Sequence, residues 1–154
     1  MNESPPFDLA CAHRWFSADC FNRVWTLLEK PDRTPEEGER MISLAHASLA
    51  HWRERPDCTA RNLSVGCWQV SRAYAVVGQP ENARRYGQLC LEFSAGEGPF
   101  YLGYAHEALA RAGKLSGDAS AAHHLAEALR LAALVTDREE RTALEKDLAG
   151  LAGA

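Results

Sequence analysis

No stretch of this chain alternates polar and apolar residues as a half-buried strand would, and Val, Ile and Thr are sparse beside an abundance of Ala. Ala loses no side-chain entropy in a helix, so the balance favours helix over sheet. No apolar run approaches the ~18 residues a membrane span needs, so no membrane association is expected. Positive charge is not in surplus: 17 Lys and Arg stand against 21 Asp and Glu, for a formal net charge of −4 and a pI of about 5.9. A groove that tracks nucleic-acid phosphates needs excess Lys and Arg, so no nucleic-acid partner is expected. The Arg84–Arg85 pair reads as solvated surface.

Paired cysteines are also missing. Cys11, Cys20, Cys58, Cys67 and Cys90 are odd in number, and no two have C-x-x-C spacing. That argues against a disulfide framework and a zinc knuckle, and predicts free buried thiols in a reducing compartment. The opening "MNESPPFDLACAH" has no basic segment followed by an apolar one, so a cytoplasmic location is expected. With 154 residues, 46% hydrophobic and 25% charged, the chain suits one domain over 7–154 behind a flexible tail at 1–6.

What is present is helix punctuation. Phe16, Cys20, Val24, Leu27 and Leu28 recur at helical spacing, predicting a first helix over 8–30. "KPDRTPEE" stops it and starts the next: Thr34 is a natural N-cap, Pro35 suits the first helical position, and Glu36–Glu37 complement the dipole. The second helix is expected over 35–54, with Ile42, Ala45, Leu49 and Trp52 on one side. Helices over 59–77 and 80–94 follow, turned at Gly78, with Ala83, Tyr86, Cys90 and Phe93 on the inner stripe of the latter. After the loop "SAGEGP" come helices over 99–115, with Tyr101, Tyr104, Ala105, Ala108, Leu109 and Ala112 inward, over 118–135 capped by Asp118, and over 137–150 capped by Thr136–Asp137. The fold class predicted is all-α, about seven helices.

The turns alternate, short after the first, third and fifth helices and longer after the second and fourth, as in stacked antiparallel helix pairs. "AYAVVGQPENARRYGQLCLE" resembles a tetratricopeptide (TPR) unit: Ala73–Tyr74 late in one helix, Gly78 at the turn, Ala83 early in the next, then Tyr86 and Leu91. Cys67, Ser71 and Cys90 stand where the pattern usually has Trp, Gly and Ala. "HEALARAGKLSGDASAAHHLAEALRLA" repeats the phrasing with Ala110, Gly117 and Ala122, and Gly113 stands where Tyr would be. "FNRVWTLLEKPDRTPEE", "AHASLAHW" and "WQVSRAYAVVG" resemble phrases of a group of small bacterial TPR-like proteins. The resemblance implies a right-handed superhelix of hairpins with a C-terminal capping helix and a concave binding face. It implies no chemistry.

Catalytic and metal patterns are thin. "HEALA" at 106–110 has Ala110 where a zinc-protease helix needs its second His, so it reads as an exposed helical face. His46 and His51 are five apart, about 140° around a helix, and the adjacent His123–His124 diverge by about 100°. "GEGPF" lacks the strand–loop–helix setting of a phosphate loop, and "DREER" reads as a solvated face. No nucleophile–base–orienter set is present, so no catalytic residue, metal ligand or cofactor is expected.

The cluster around Trp68 is the candidate site. If Cys67, Val70, Ser71 and Tyr74 face the paired helix, Trp68 and Arg72 point toward the concave side. Asn62 and Gln69 lie on the neighbouring stripe, and Glu107 and Arg111 hold matching positions in the next pair. Two readings stay open. Trp68 packs between hairpins while Arg72 pairs with Glu29 or Glu107, or the group forms a recognition surface with Trp68 partly exposed. The leading function is a non-enzymatic module binding a protein segment or small ligand. The alternatives are a metal- or small-molecule-dependent enzyme using His46, His51, Arg72 and Glu107 between helices, or a self-associating protein, a homodimer. The repeat alignment puts Ala83 at a tight crossing, so Ala83→Leu should cost about 1–3 kcal/mol in chemical denaturation; an unchanged midpoint would show that the alignment is wrong.

Overall fold

The structure, a computed structural model, describes residues 4–153. Residues 1–3 of the expected tail lie outside the described residues, and Ser4–Phe7 precede the first helix. Seven helices follow among the described residues, with no strand: α1 (Leu9–Leu28), α2 (Pro35–Arg53), α3 (Ala60–Val76), α4 (Pro80–Ser94), α5 (Pro99–Ser116), α6 (Ser120–Ala132) and α7 (Arg138–Ala152).

The helix starts follow from local chemistry. Thr34 Oγ1 accepts from the Glu37 N–H at 3.2 Å while Glu37 Oε2 accepts from the Thr34 N–H at 2.9 Å, a reciprocal cap. Thr59 and Asn62 repeat it at the start of α3. Pro35, Pro80 and Pro99 each take a first helical position, where a missing N–H costs nothing. The ends of α3 and α5 are identical in kind. Gly78 (φ 76°) and Gly117 (φ 67°) adopt the left-handed conformation. The next residue's N–H then closes back five residues, Gln79 to the Tyr74 carbonyl at 2.9 Å and Asp118 to the Gly113 carbonyl at 2.8 Å. α1 has no such glycine. Instead Arg33 Nε and Nη2 donate to the Leu27 and Leu28 carbonyls at 3.1 and 3.4 Å.

Three expectations are corrected. The helix foreseen over 118–135 is shorter. Asp118 precedes it, accepting from the Ser120 N–H at 2.8 Å and pairing with Arg84 at 2.9 Å. Its far end stops at Ala132 and leaves the buried Val135 to offer its carbonyl to the Arg141 side chain at 2.8 Å. Phe16, foreseen on the inner stripe of α1, is exposed and stacks on His51 with ring centroids 5.3 Å apart. Of the five thiols, Cys20, Cys67 and Cys90 are buried, but Cys11 is exposed and Cys58 half-buried.

Consecutive helices pair as α1–α2, α3–α4 and α5–α6, and α7 closes the end against α5 and α6. Within the row the backbones of α1 and α3 and of α3 and α5 approach each other, whereas those of α2, α4 and α6 stay apart, α2 and α4 meeting through the His46 and Tyr86 rings at 5.1 Å. The stack therefore bends toward its odd-numbered helices. Val24, Met41, Leu49, Cys67, Val70 and Cys90 anchor the main core, and Leu144 and Leu148 of α7 anchor a second, with Tyr104 packed against both. Ala83 is fully buried beside Ala75 and Ala112, and its carbonyl accepts from Ser71 Oγ at 2.7 Å, fastening α3 to α4.

At the α5–α6 crossing a methyl group on Gly113 would meet Ala121 Cβ at 2.9 Å and its Cα at 3.2 Å, backbone that cannot turn aside. Gly150 in α7 has open space around it. Gly113→Ala should therefore destabilise by about 1–3 kcal/mol, while Gly150→Ala should stabilise by up to about 1 kcal/mol through helix propensity. Urea midpoints of the two variants moving in the same direction would refute the crossing.

Candidate functional site

Aromatic side chains of the odd-numbered helices meet across the bend. Phe21 and Trp25 lie one turn apart on α1, Trp68 stands on α3, and Phe100, Tyr101 and Tyr104 share the first turns of α5. One-turn spacing puts such side chains on a common face. Their rings touch in an unbroken order. Centroids are 6.4 Å apart for Phe21–Trp25, 5.7 Å for the stacked Trp25–Trp68, 5.4 Å for Trp68–Tyr104, 5.1 Å for Tyr104–Phe100 and 5.2 Å for Phe100–Tyr101. Apart from Trp25–Trp68 the pairs are edge-to-face, an arrangement favoured by the ring quadrupole. The arc borders a hollow of about 220 Å³, completed by Ser64, Val65, Cys90 and Asp147.

Behind the arc lies a buried polar network. Glu107 has no exposed surface. Its Oε2 accepts from Trp68 Nε1 at 2.9 Å, and its Oε1 accepts from Arg111 Nε at 2.8 Å and from Arg111 Nη2. Arg72 Nη1 adds an ion pair at 3.6 Å. Burial pushes the Glu107 carboxyl up, to about 7, against the pull of the Trp68 bond and the Arg72 charge. Tyr104 donates its hydroxyl to Asp147 Oδ2 at 3.0 Å; burial and the neighbouring carboxylate push its pKa up, so the proton stays. Burial also pushes the Cys90 thiol up to about 11, which makes it a poor nucleophile.

Of the six residues singled out in the sequence, Trp68, Arg72, Glu107 and Arg111 form this one network. Gln69 turns instead toward α1, donating Nε2 to the Phe21 carbonyl at 3.0 Å. Asn62 is committed to the cap of α3. Trp68 is only 8% exposed, so the partly exposed anchor is not found: the stacked Trp25 ring covers it, and Trp25 itself is 37% exposed. Arg72 pairs with Glu107, while Glu29 ends α1. Nor is "HEALA" an exposed face, because Glu107 is buried and His106 is half-buried against His124, their Nδ1 atoms 3.0 Å apart.

The grouping of His46 and His51 with Arg72 and Glu107 does not form. His51 shares a hydrogen bond with His13 at 2.9 Å, and His46 with the Tyr74 hydroxyl at 2.9 Å. Burial holds both imidazoles below their ordinary pKa. Among the described residues no three His, Cys, Asp or Glu side chains are placed to hold one metal ion, and no helix is long and apolar enough to cross a membrane. Sequence reasoning missed Phe21, Trp25, Phe100 and Asp147. The available signal was the pair of aromatics one turn apart on the first and again on the fifth helix, Phe21 with Trp25 and Phe100 with Tyr104.

No family model, curated protein or solved structure matches the chain.

Trp68 joins three helices through ring contacts and satisfies one oxygen of a buried carboxylate. Trp68→Ala should lower stability by about 3–5 kcal/mol, as truncation of a buried aromatic does. A loss below about 1 kcal/mol in urea denaturation would remove Trp68 from the core.

Proposed function

We propose that the chain is a non-enzymatic, TPR-like binding module, a right-handed superhelical stack of hairpins closed by α7. Its concave side is the bend lined by α1, α3 and α5, and it receives a small ligand or the side chain of a protein segment in the aromatic hollow. The reading is carried by one observation, the six-ring arc contributed by three different helices around a 220 Å³ opening. Ligand sites are typically concave and apolar with a few placed polar groups, and here Asp147, Ser64 and Cys90 are those groups. Catalysis is a poorer reading because the nearby ionisable groups are committed. Tyr104 is hydrogen-bonded to Asp147, and Glu107 is enclosed by Trp68 and two arginines.

Trp25 is the accessible end of the stacked pair and tests the reading without opening the core. A thermal-shift screen of small molecules and peptides should yield binders that raise the Tm of the wild-type protein. A ligand at 100 times its Kd stabilises by about 2.7 kcal/mol. The same compounds should leave the Tm of Trp25→Ala unmoved. Binders indifferent to Trp25→Ala would place the working surface on another face.

A further inference from the structure

Resting on that reading of the hollow, we propose that its occupant is a methylated ammonium group, carried by a small choline-like molecule or by a trimethylated lysine side chain, with Asp147 as the counter-charge. The walls argue for a cation first. Six aromatic side chains border the space, and ring faces attract a cation held within about 6 Å of their centroids. Asp147 is the one charged residue in the lining, which contains no Lys, Arg or His. An anion would face a carboxylate and the negative faces of the rings. A neutral apolar occupant would take water from the Asp147 carboxylate and add nothing to the hydrogen bond it accepts from Tyr104, a costly arrangement. Arg72 and Arg111 together outnumber the single carboxyl of Glu107 that they share, but they line a different hollow that has no residue in common with this one. The outer rim already shows the affinity of the rings for positive charge: the Arg61 guanidinium sits 4.7 Å from the Tyr101 ring centroid while bonded to Glu97.

The same walls favour a methylated nitrogen over a free ammonium. A lysine head brings three N–H donors that each need an acceptor once out of water. The lining supplies few. Tyr104 already occupies Asp147 Oδ2, and Ser64 Oγ is engaged with Ser94 at 2.6 Å. A quaternary nitrogen has no N–H to satisfy, and its methyl groups make apolar contact with ring faces while its charge is spread over them. Size agrees, since about 220 Å³ is below the roughly 300–1,000 Å³ of sites for drug-sized molecules. It holds one compact headgroup and leaves the rest of the ligand outside.

The test is a set of calorimetric or tryptophan-fluorescence titrations on the full chain. The probes are choline, a short peptide bearing trimethyllysine, and 3,3-dimethylbutan-1-ol, the uncharged carbon analogue of choline. At least one cation should bind about ten-fold more tightly than the neutral analogue, and the tighter of the two identifies the source. Asp147→Asn should weaken the cation about ten-fold and leave the analogue unchanged. Should Asp147→Asn fail to fold, Tyr101→Leu serves instead, since it keeps apolar bulk, removes a ring face and should weaken the cation selectively. Equal or tighter binding of the neutral analogue overturns the cation assignment while the hollow stands as a binding site. No saturable response to any of the three probes overturns the cation assignment, while the ligand-binding reading of the hollow is decided separately by the Trp25→Ala screen.

Discussion

Glu107 sits at the junction of α3 and α5 with no surface in contact with solvent, yet it brings an ionisable carboxyl there, which burial pushes up to about 7. Taking such a group out of water costs several kcal/mol, and the cost is offset only where its oxygens are well satisfied. Here Trp68 bonds one oxygen and Arg111 the other, while Arg72 adds its charge at 3.6 Å, its buried Nη1 making no hydrogen bond. Removing one partner from such a set leaves the carboxylate stranded, so the members stand or fall together. A hydrophobic residue in place of Glu107 would avoid the desolvation cost but would leave the Trp68 N–H and two guanidinium groups unanswered. What the network provides is position. An indole packed only by apolar contact has several rotamers of similar energy, whereas one whose Nε1 is bonded across the helix pair has one.

That constraint propagates outward along the rings. With Trp68 fixed, Trp25 stacks on one side of it and the Tyr104 ring meets the other at 76°. Tyr104 is in turn held by Asp147 of α7, so the terminal helix contributes to the wall as well as closing the second core. Small residues set the spacing that makes this possible. Gly66 lies under Leu49, Gly87 under Leu109 and Gly113 against Ala121, so neighbouring helices approach closely at these crossings. Six aromatic residues gather where α1, α3 and α5 converge, while Tyr74 and Tyr86 stack in a separate group with His46.

Much of the fold was legible because it is governed by local chemistry. Pro35, Pro80 and Pro99 open helices, Thr34 and Asp137 cap them, and Gly78 and Gly117 end two of them through the same backbone closure 39 residues apart. Each of these signals acts within four or five residues. The candidate site was legible only in part, because its helices are joined by contacts 35 to 43 residues apart in the chain, from Arg72 to Glu107 up to Trp25 to Trp68 and Tyr104 to Asp147. Helical phase placed Trp68, Arg72, Glu107 and Arg111 on facing stripes, which the structure brings together. It could not say that Trp25 would lie over Trp68 and bury it. Phe21 and Trp25 fall outside the apolar stripe read from Cys20 and Val24, on a face that becomes interior only when α3 and α5 curve around it. Asn62 and Gln69 were drawn toward the site by phase alone, and capping and a backbone carbonyl had prior claim on them.

The proposed recognition of a diffuse cation would depend on this order of construction. Cation–π attraction is weak for any single ring and requires the ring face to be already turned toward the charge. If each ring had to be ordered on binding, the side-chain entropy lost, about 0.5–1.5 kcal/mol apiece, would consume the attraction it supplied. A wall braced from behind avoids that loss. Trp68 is locked by Glu107, Tyr104 by Asp147 and Tyr101 by the guanidinium of Arg61. Among the six, Trp25 retains the largest exposure. On the proposed reading, the buried acid that looks wasteful as a contribution to stability would serve by fixing Trp68, so that the rings and the Asp147 carboxylate together could tell a charged headgroup from a neutral one of the same shape.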